Sequence, residues 1–148
     1  MLTIHAADEV RRDWDGAAIE DGAVVVEGDR ITAVGIRADL LERFPGARVR
    51  NWPGVLGPAR VHEHALPDAP TPRERVHAVL KSGATAVLDR HTDSPELRAA
   101  AARNDVLVLP HTPRPHLTET ARADLAVFDE TGECIATVCA GRLVHRRR

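Results

Sequence analysis

Short β-branched runs occupy both ends of this chain, and helix-spaced apolar positions occupy its middle. Ala23-Val24-Val25-Val26-Glu27 and Arg30-Ile31-Thr32-Ala33-Val34-Gly35 flank Gly28-Asp29, a composition that predicts a hairpin. Leu2-Thr3-Ile4 predicts a further strand, Arg37–Phe44 a short helix ended by Pro45-Gly46, and Arg48–Trp52 a returning strand. The C-terminal stretch has the same character. Asp124–Phe128, Cys134–Cys139 and Arg142–His145 are predicted strands, the first two separated by the turn Glu130-Thr131-Gly132-Glu133. Both ends are therefore expected to share one sheet or sandwich.

The middle changes period. Thr71-Pro72-Arg73-Glu74 supplies an N-cap, a proline at the first helical position and an acid at the third, all helix-start signals. Val76, Val79 and Leu80 then recur at i, i+3 and i+4, and Gly83 closes the segment. Ser94-Pro95-Glu96 starts a second helix through the Ala-rich Leu97–Arg103, with Asn104 suited to its end. Val55–Val61, Ala84–Leu88 and Val106–Leu109 read as buried strands around these helices. The order β-α-β-α-β implies parallel strands joined by right-handed crossovers.

Composition narrows the function classes. Apolar residues make up 43% of the 148 positions, enough for a core, but aromatics are 3% and tyrosine is absent. A net charge of -2 gives no electrostatic argument for nucleic acid or an anionic membrane, and neither is expected as a partner. The basic Arg146-Arg147-Arg148 is too short to change that and reads as a solvated tail. No apolar stretch approaches the roughly 20 residues of a membrane span. Asp8, Glu9, Arg11 and Arg12 stand where a signal peptide would be apolar, so a cytoplasmic location is expected. Cys134 and Cys139 are then expected to be buried, reduced thiols, and on one strand their odd separation would put them on opposite faces.

Several segments carry a family resemblance. Ile19–Gly35 resembles the N-terminal hairpin of amidohydrolase-superfamily enzymes, most of all the imidazolonepropionase and aminofutalosine deaminase group. Arg50–Leu66, with Pro53-Gly54 and His62-Glu63-His64, is similar to the segment leading into that family's first barrel strand, where a His-x-His binds metal. Arg122–Asp129 and Gly141-Arg142-Leu143-Val144 resemble the family's C-terminal strands. The resemblance implies a small composite β-sandwich built from both chain ends beside a metal-bearing TIM barrel.

The length between these ends does not fit a closed barrel. Eight βα units need about 250 residues, and between His64 and Ala123 there is room for two helices and two further strands. The expected fold is α+β, with a composite sandwich from residues 1–57 and 117–148. A short (βα)2β parallel insertion, residues 58–116, takes the place of a full barrel.

Strand ends supply the candidate chemistry. His-x-His on a strand sends both imidazoles to one face. His62 and His64 follow the first middle strand, Asp89, His91 and Asp93 the second, and His111 the third. The carboxyl ends of parallel strands share one edge, where ligands bind. His62, His64, His91 and His111 are thus the candidate ligands for Zn2+ or another divalent ion, which would lower the pKa of a bound water. Taken singly, Asp89 equally suits a turn and Asp93 a pair with Arg90. His77 borders a helix stripe, His116 lies in a Pro-rich connector, and His5 and His145 have no partners in sequence.

Two function classes stay open. One is a reduced amidohydrolase-like protein performing metal-dependent hydrolysis of non-peptide C–N bonds, with a small cyclic amidine or imidazolone-like ligand implied by the resemblance. The other is a non-catalytic binding or assembly module that keeps the composite domain. Three strands make a poor water-excluding pocket, which favours the second. Uncovered strand edges and helix faces also predict a homodimer or a protein partner.

Overall fold

A computed structural model describes residues 1–147; Arg148, the last residue of the basic tail, lies outside them. The fold is mixed α and β, with a seven-stranded sheet and a separate three-stranded parallel sheet. The N-terminal part gives β1 (Leu2–Arg11), β2 (Ala18–Glu27), β3 (Arg30–Ile36), α1 (Arg37–Arg43) and β4 (Arg48–Pro58). The middle gives β5 (Arg60–His62), α2 (Pro72–Lys81), β6 (Ala84–Leu88), α3 (Pro95–Arg103) and β7 (Leu107–Leu109). The C-terminal part adds β8 (Leu125–Phe128), β9 (Cys134–Cys139) and β10 (Arg142–Arg146).

The large sheet runs β10-β9-β8-β4-β1-β2-β3, so both chain ends meet where β4 pairs with β8. It curls on itself. At the β3 edge, Ile31 N donates to Ala121 O, Thr120 N to Ile31 O and Ala123 N to Asp29 O, joining that edge to the chain just ahead of β8. The enclosed core includes Val10, Val24, Ile31, Leu56, Leu125, Val127 and Val138, contributed by six of the seven strands. On the outer face of β1–β3 a second cluster forms under α1, with Leu40 buried among Ile4, Ala23, Val25 and Ala33. A seven-residue helix is unstable in isolation; burial of Leu40, worth about 1.5–3 kcal/mol, helps hold it.

In the small sheet β5, β6 and β7 are parallel, with α2 and α3 packed on one face through Val76, Val79, Leu80, Leu97, Ala100 and Ala101. The helix starts follow the cap signals. Thr71 Oγ1 accepts from Glu74 N at 3.2 Å and Ser94 Oγ from Leu97 N at 3.1 Å. Thr71→Ala should therefore cost about 1 kcal/mol, with Thr71→Ser close to wild type; urea midpoints of the two variants check this. Helix α2 also lies on the outer face of the large sheet, where Thr137 Oγ1 donates to Leu80 O at 2.7 Å. Gly83 allows that approach: at φ +91° it has no strain, and a Cβ there would stand 2.7 Å from the Phe128 ring.

Three sequence expectations change. Val55–Val61 is not one strand: Val55–Pro58 stay in β4 opposite β8, and only Arg60–His62 pair with β6. Cys134 and Cys139 are buried free thiols on the same outer face, because a bulge between Cys134 and Ala136 adds one residue and resets the alternation. The basic tail is not simply solvated. Arg147 N donates to Ile135 O, and its guanidinium reaches Asp129 at 2.8 Å and Glu133 at 2.6 Å. Among the described residues no helix is long and apolar enough to cross a membrane.

Candidate functional site

The carboxyl edge of the small sheet carries the predicted ligands. His62 ends β5 and His64 follows it in the loop. Their rings lie 6.3 Å apart between centroids and nearly perpendicular, at 89°. His62 Nε2 is 3.1 Å from the carbonyl oxygen of Ala65, so this nitrogen already has a backbone partner. Nearby, Thr112 Oγ1 donates to Glu63 Oε2 at 2.9 Å, tying the loop after β7 to the loop after β5. His91 ends a 3-10 turn, Asp89–His91, whose first carbonyl accepts from the buried Thr92 hydroxyl at 3.0 Å. His111 is exposed in the loop after β7. No ion pair joins Arg90 and Asp93 among the described residues.

This arrangement does not fit a resident metal. Structural and catalytic zinc sites use at least three protein donors within about 2.3 Å of the ion. Among the described residues no group of three or more His, Cys, Asp or Glu side chains is placed to hold one. His62 and His64 come together; His91 and His111 do not complete a set with them.

A cavity of about 220 Å³ lies between the two sheets, against Pro58–Val61, the β6 and β7 residues Thr85, Ala86, Leu107 and Leu109, and the connector Pro113–His116. Its charged wall is committed to structure. Arg122 Nε donates to both carboxylate oxygens of Asp124, at 3.1 and 2.8 Å, and its Nη2 donates to Asp105 O. Asp124 also accepts from Ala140 N at 3.0 Å. This pair joins the end of α3 to β8 and the β9–β10 turn. Arg60 stacks on Phe128 at 4.2 Å and on Trp14 at 5.2 Å, anchoring the start of β5 to the large sheet.

A polar site that the sequence reading left without partners lies at the open end of the curled sheet. His5 is 3% exposed, and Trp52 Nε1 donates to its Nδ1 at 3.3 Å. Burial first, then the nearby Arg50 charge, lowers the His5 pKa to about 4, so the ring is neutral at pH 7. The alternation Arg48-x-Arg50-x-Trp52 shows in sequence that these three share a face. The 47-residue separation of Trp52 from His5 does not.

The segment from Gly22 to Ala47, which spans most of β2, all of β3 and α1, carries a similarity to a known domain. Residues 22–47 match a family model of the bacterial imidazolonepropionase-like composite domain. Over that segment the chain is similar to the composite domain. Its hairpin is the one that resembles the family in sequence, and α1 closes its outer face. No curated protein matches the chain.

Solved structures share the fold over about 70% of the chain. An adenosine deaminase from Xanthomonas campestris, with bound zinc, superposes with TM-score 0.56 at 20% identity, covering 70% of this chain and 32% of that one. E. coli guanine deaminase gives 0.55 at 16%, covering 72% and 35%. A. niger ochratoxinase gives 0.53 at 19%, covering 73% and 29%. The chain thus spans about a third of the length of these structures.

Proposed function

We propose that this protein is an amidohydrolase-like binding and assembly module, built on the imidazolonepropionase-like composite domain, that does not hydrolyse C–N bonds as a single chain. The observation that carries this reading is the open β7 edge. Among the described residues β7 pairs only with β6, and its Leu107 and Val108 are 40% and 36% exposed. Bare apolar strand edges are pairing surfaces. The proposed occupant is a second copy of the chain, because two identical edges related by a two-fold axis pair antiparallel and cover one another. The cavity between the sheets supports a ligand less well. Small-molecule pockets usually hold about 300–1,000 Å³, and this one is smaller, with Arg122 and Asp124 already paired.

Sedimentation equilibrium tests the reading. The wild-type chain should be a dimer at micromolar concentration, and Val108→Lys should be a monomer with an unchanged far-UV circular dichroism spectrum. A wild-type monomer over that range would contradict it, as would an unchanged dimer in the variant.

A second reading has two observations in its favour, the His62–His64 pair at the shared carboxyl edge and a hollow of about 380 Å³ lined by both histidines with Arg60, Glu63 and Ser82. In it, the partner copy contributes the further donors for a divalent ion, and the assembled protein is a metal-dependent hydrolase acting on a small cyclic amidine or imidazolone-like compound. Zinc content distinguishes the two readings.

A further inference from the structure

We propose that the open end of the curled sheet, lined by His5, Arg48, Arg50, Trp52 and Arg146, is a binding site for a phosphate group. The site is separate from the histidines at the β5 edge. Register places it: Thr3 stands opposite Arg48, His5 opposite Arg50 and Ala7 opposite Trp52 in the parallel β1–β4 pair. Alternation then puts Arg48, Arg50 and Trp52 on one face of β4, and direct opposition puts His5 beside Arg50. From the far end of the sheet, Arg146 of β10 lays its guanidinium 5.5 Å from the Trp52 ring centroid. Beside this contact lies a hollow of about 270 Å³ lined by Asn51, Trp52, Pro53, Ile135, Arg146 and Arg147, next to the face that carries Arg48, Arg50 and His5.

Two independent features point to an anion. First, none of Arg48, Arg50 and Arg146 has a carboxylate within ion-pair distance among the described residues. They crowd one another nonetheless: desolvation first, and then the Arg48 and Arg146 charges, lower the Arg50 pKa. Second, His5 is almost wholly buried, and its Nδ1 is occupied as an acceptor by the Trp52 indole. The neutral ring therefore carries its proton on Nε2, assigned from this geometry. That N–H has no acceptor among the described side-chain and backbone partners, and Nε2 is not among the solvent-sealed orphan atoms. A donor that reaches solvent from an almost wholly buried ring, on the face that carries Arg48 and Arg50, matches an acceptor that arrives from outside.

Phosphate suits the set better than carboxylate. It is close to dianionic at pH 7.5, which offsets more of the like-charge crowding. Its tetrahedral oxygens also accept from several directions at once, whereas a carboxylate accepts in one plane. Inorganic phosphate and the phosphate of a small monoester share this chemistry.

Titration calorimetry on the full chain at pH 7.5, at constant ionic strength in chloride, tests the site with inorganic phosphate, glycerol 1-phosphate and acetate. Saturable phosphate binding is expected, weakened about tenfold or more in Arg50→Gln and in Arg146→Gln. Tighter binding of glycerol 1-phosphate would identify a monoester as the natural source, and tighter inorganic phosphate the free ion. The His5 Nε2 nitrogen resonance should move on phosphate addition. Without phosphate, Arg50→Gln should melt at or above the wild-type temperature, since it removes a crowded charge; this separates lost binding from lost folding. Equal phosphate binding by wild type and Arg50→Gln, acetate binding as tight as phosphate, or an unmoved His5 resonance would each overturn the proposal.

Discussion

Gly141→Ala should destabilise the fold by on the order of 4 kcal/mol, measured by urea unfolding with circular dichroism. Two costs combine. Ala140 and Gly141 form the two-residue β9–β10 turn with φ of +49° and +81°, a conformation that strains a side-chain-bearing residue by about 1–3 kcal/mol. A Cβ on Gly141 would also collide with the carbonyl of Gly28 and stand 2.9 Å from Asp29 Cα, where the tips of two hairpins meet. Moving packed backbone adds about 1–3 kcal/mol more. The hairpins come from opposite ends of the chain, and Gly141 N also donates to Ala123 O. The substitution therefore strikes the joint that makes the domain composite. A loss below about 1 kcal/mol would mean that the tips do not pack this closely.

Acid should remove stability through His5, in a defined window. The folded-state pKa is lowered to about 4 from an ordinary 6.5, first by burial and then by Arg50. The unfolded chain binds a proton here as pH falls through 6.5, while the folded chain resists until about 4. The stabilisation is thus fully present above about pH 6.5 and is lost as pH falls toward 4, below which no further loss comes from this group. Its size is of order 3 kcal/mol, from about 1.4 kcal/mol per pKa unit. Nuclear magnetic resonance titration of the ring should give a midpoint near 4, and His5→Gln should show a flatter stability profile between pH 4 and 6.5. A midpoint near 6.5 would contradict the burial and the Trp52 contact together.

Local signals reached the elements whose ends are set locally. Thr71-Pro72 and Ser94-Pro95 start α2 and α3 because a capping oxygen and a fixed proline φ act over four residues. The β2–β3 hairpin follows from Gly28 between two β-branched runs. What local signals could not reach was the point where the chain changes sheet. Val55–Val61 is uniformly extended and largely apolar, yet pairing moves from β8 to β6 around Ala59, and only the partners reveal it. The cysteine faces were misread for a similar reason: the bulge in β9 is a pairing feature with no signature in Cys134–Cys139 itself.

The site divides along the same line. His62 and His64 are brought together because neighbours in sequence remain neighbours in space. Assembling His91 and His111 with them required three strand ends to converge within a coordination sphere, and spacing along a sequence carries no such information. The His5–Trp52 pair illustrates the converse. Neither residue has a notable local motif, but parallel pairing of β1 with β4 buries one against the other and gathers the arginines around them.

Zinc content of the purified wild-type chain and of a His62→Ala/His64→Ala variant, measured by elemental analysis after expression without a histidine tag, tests the account most directly. A binding and assembly module with two converged histidines should hold well under one zinc per chain after dialysis, with little difference between wild type and variant. One tightly held zinc per chain, lost in the variant, would contradict it and support the metal-site reading.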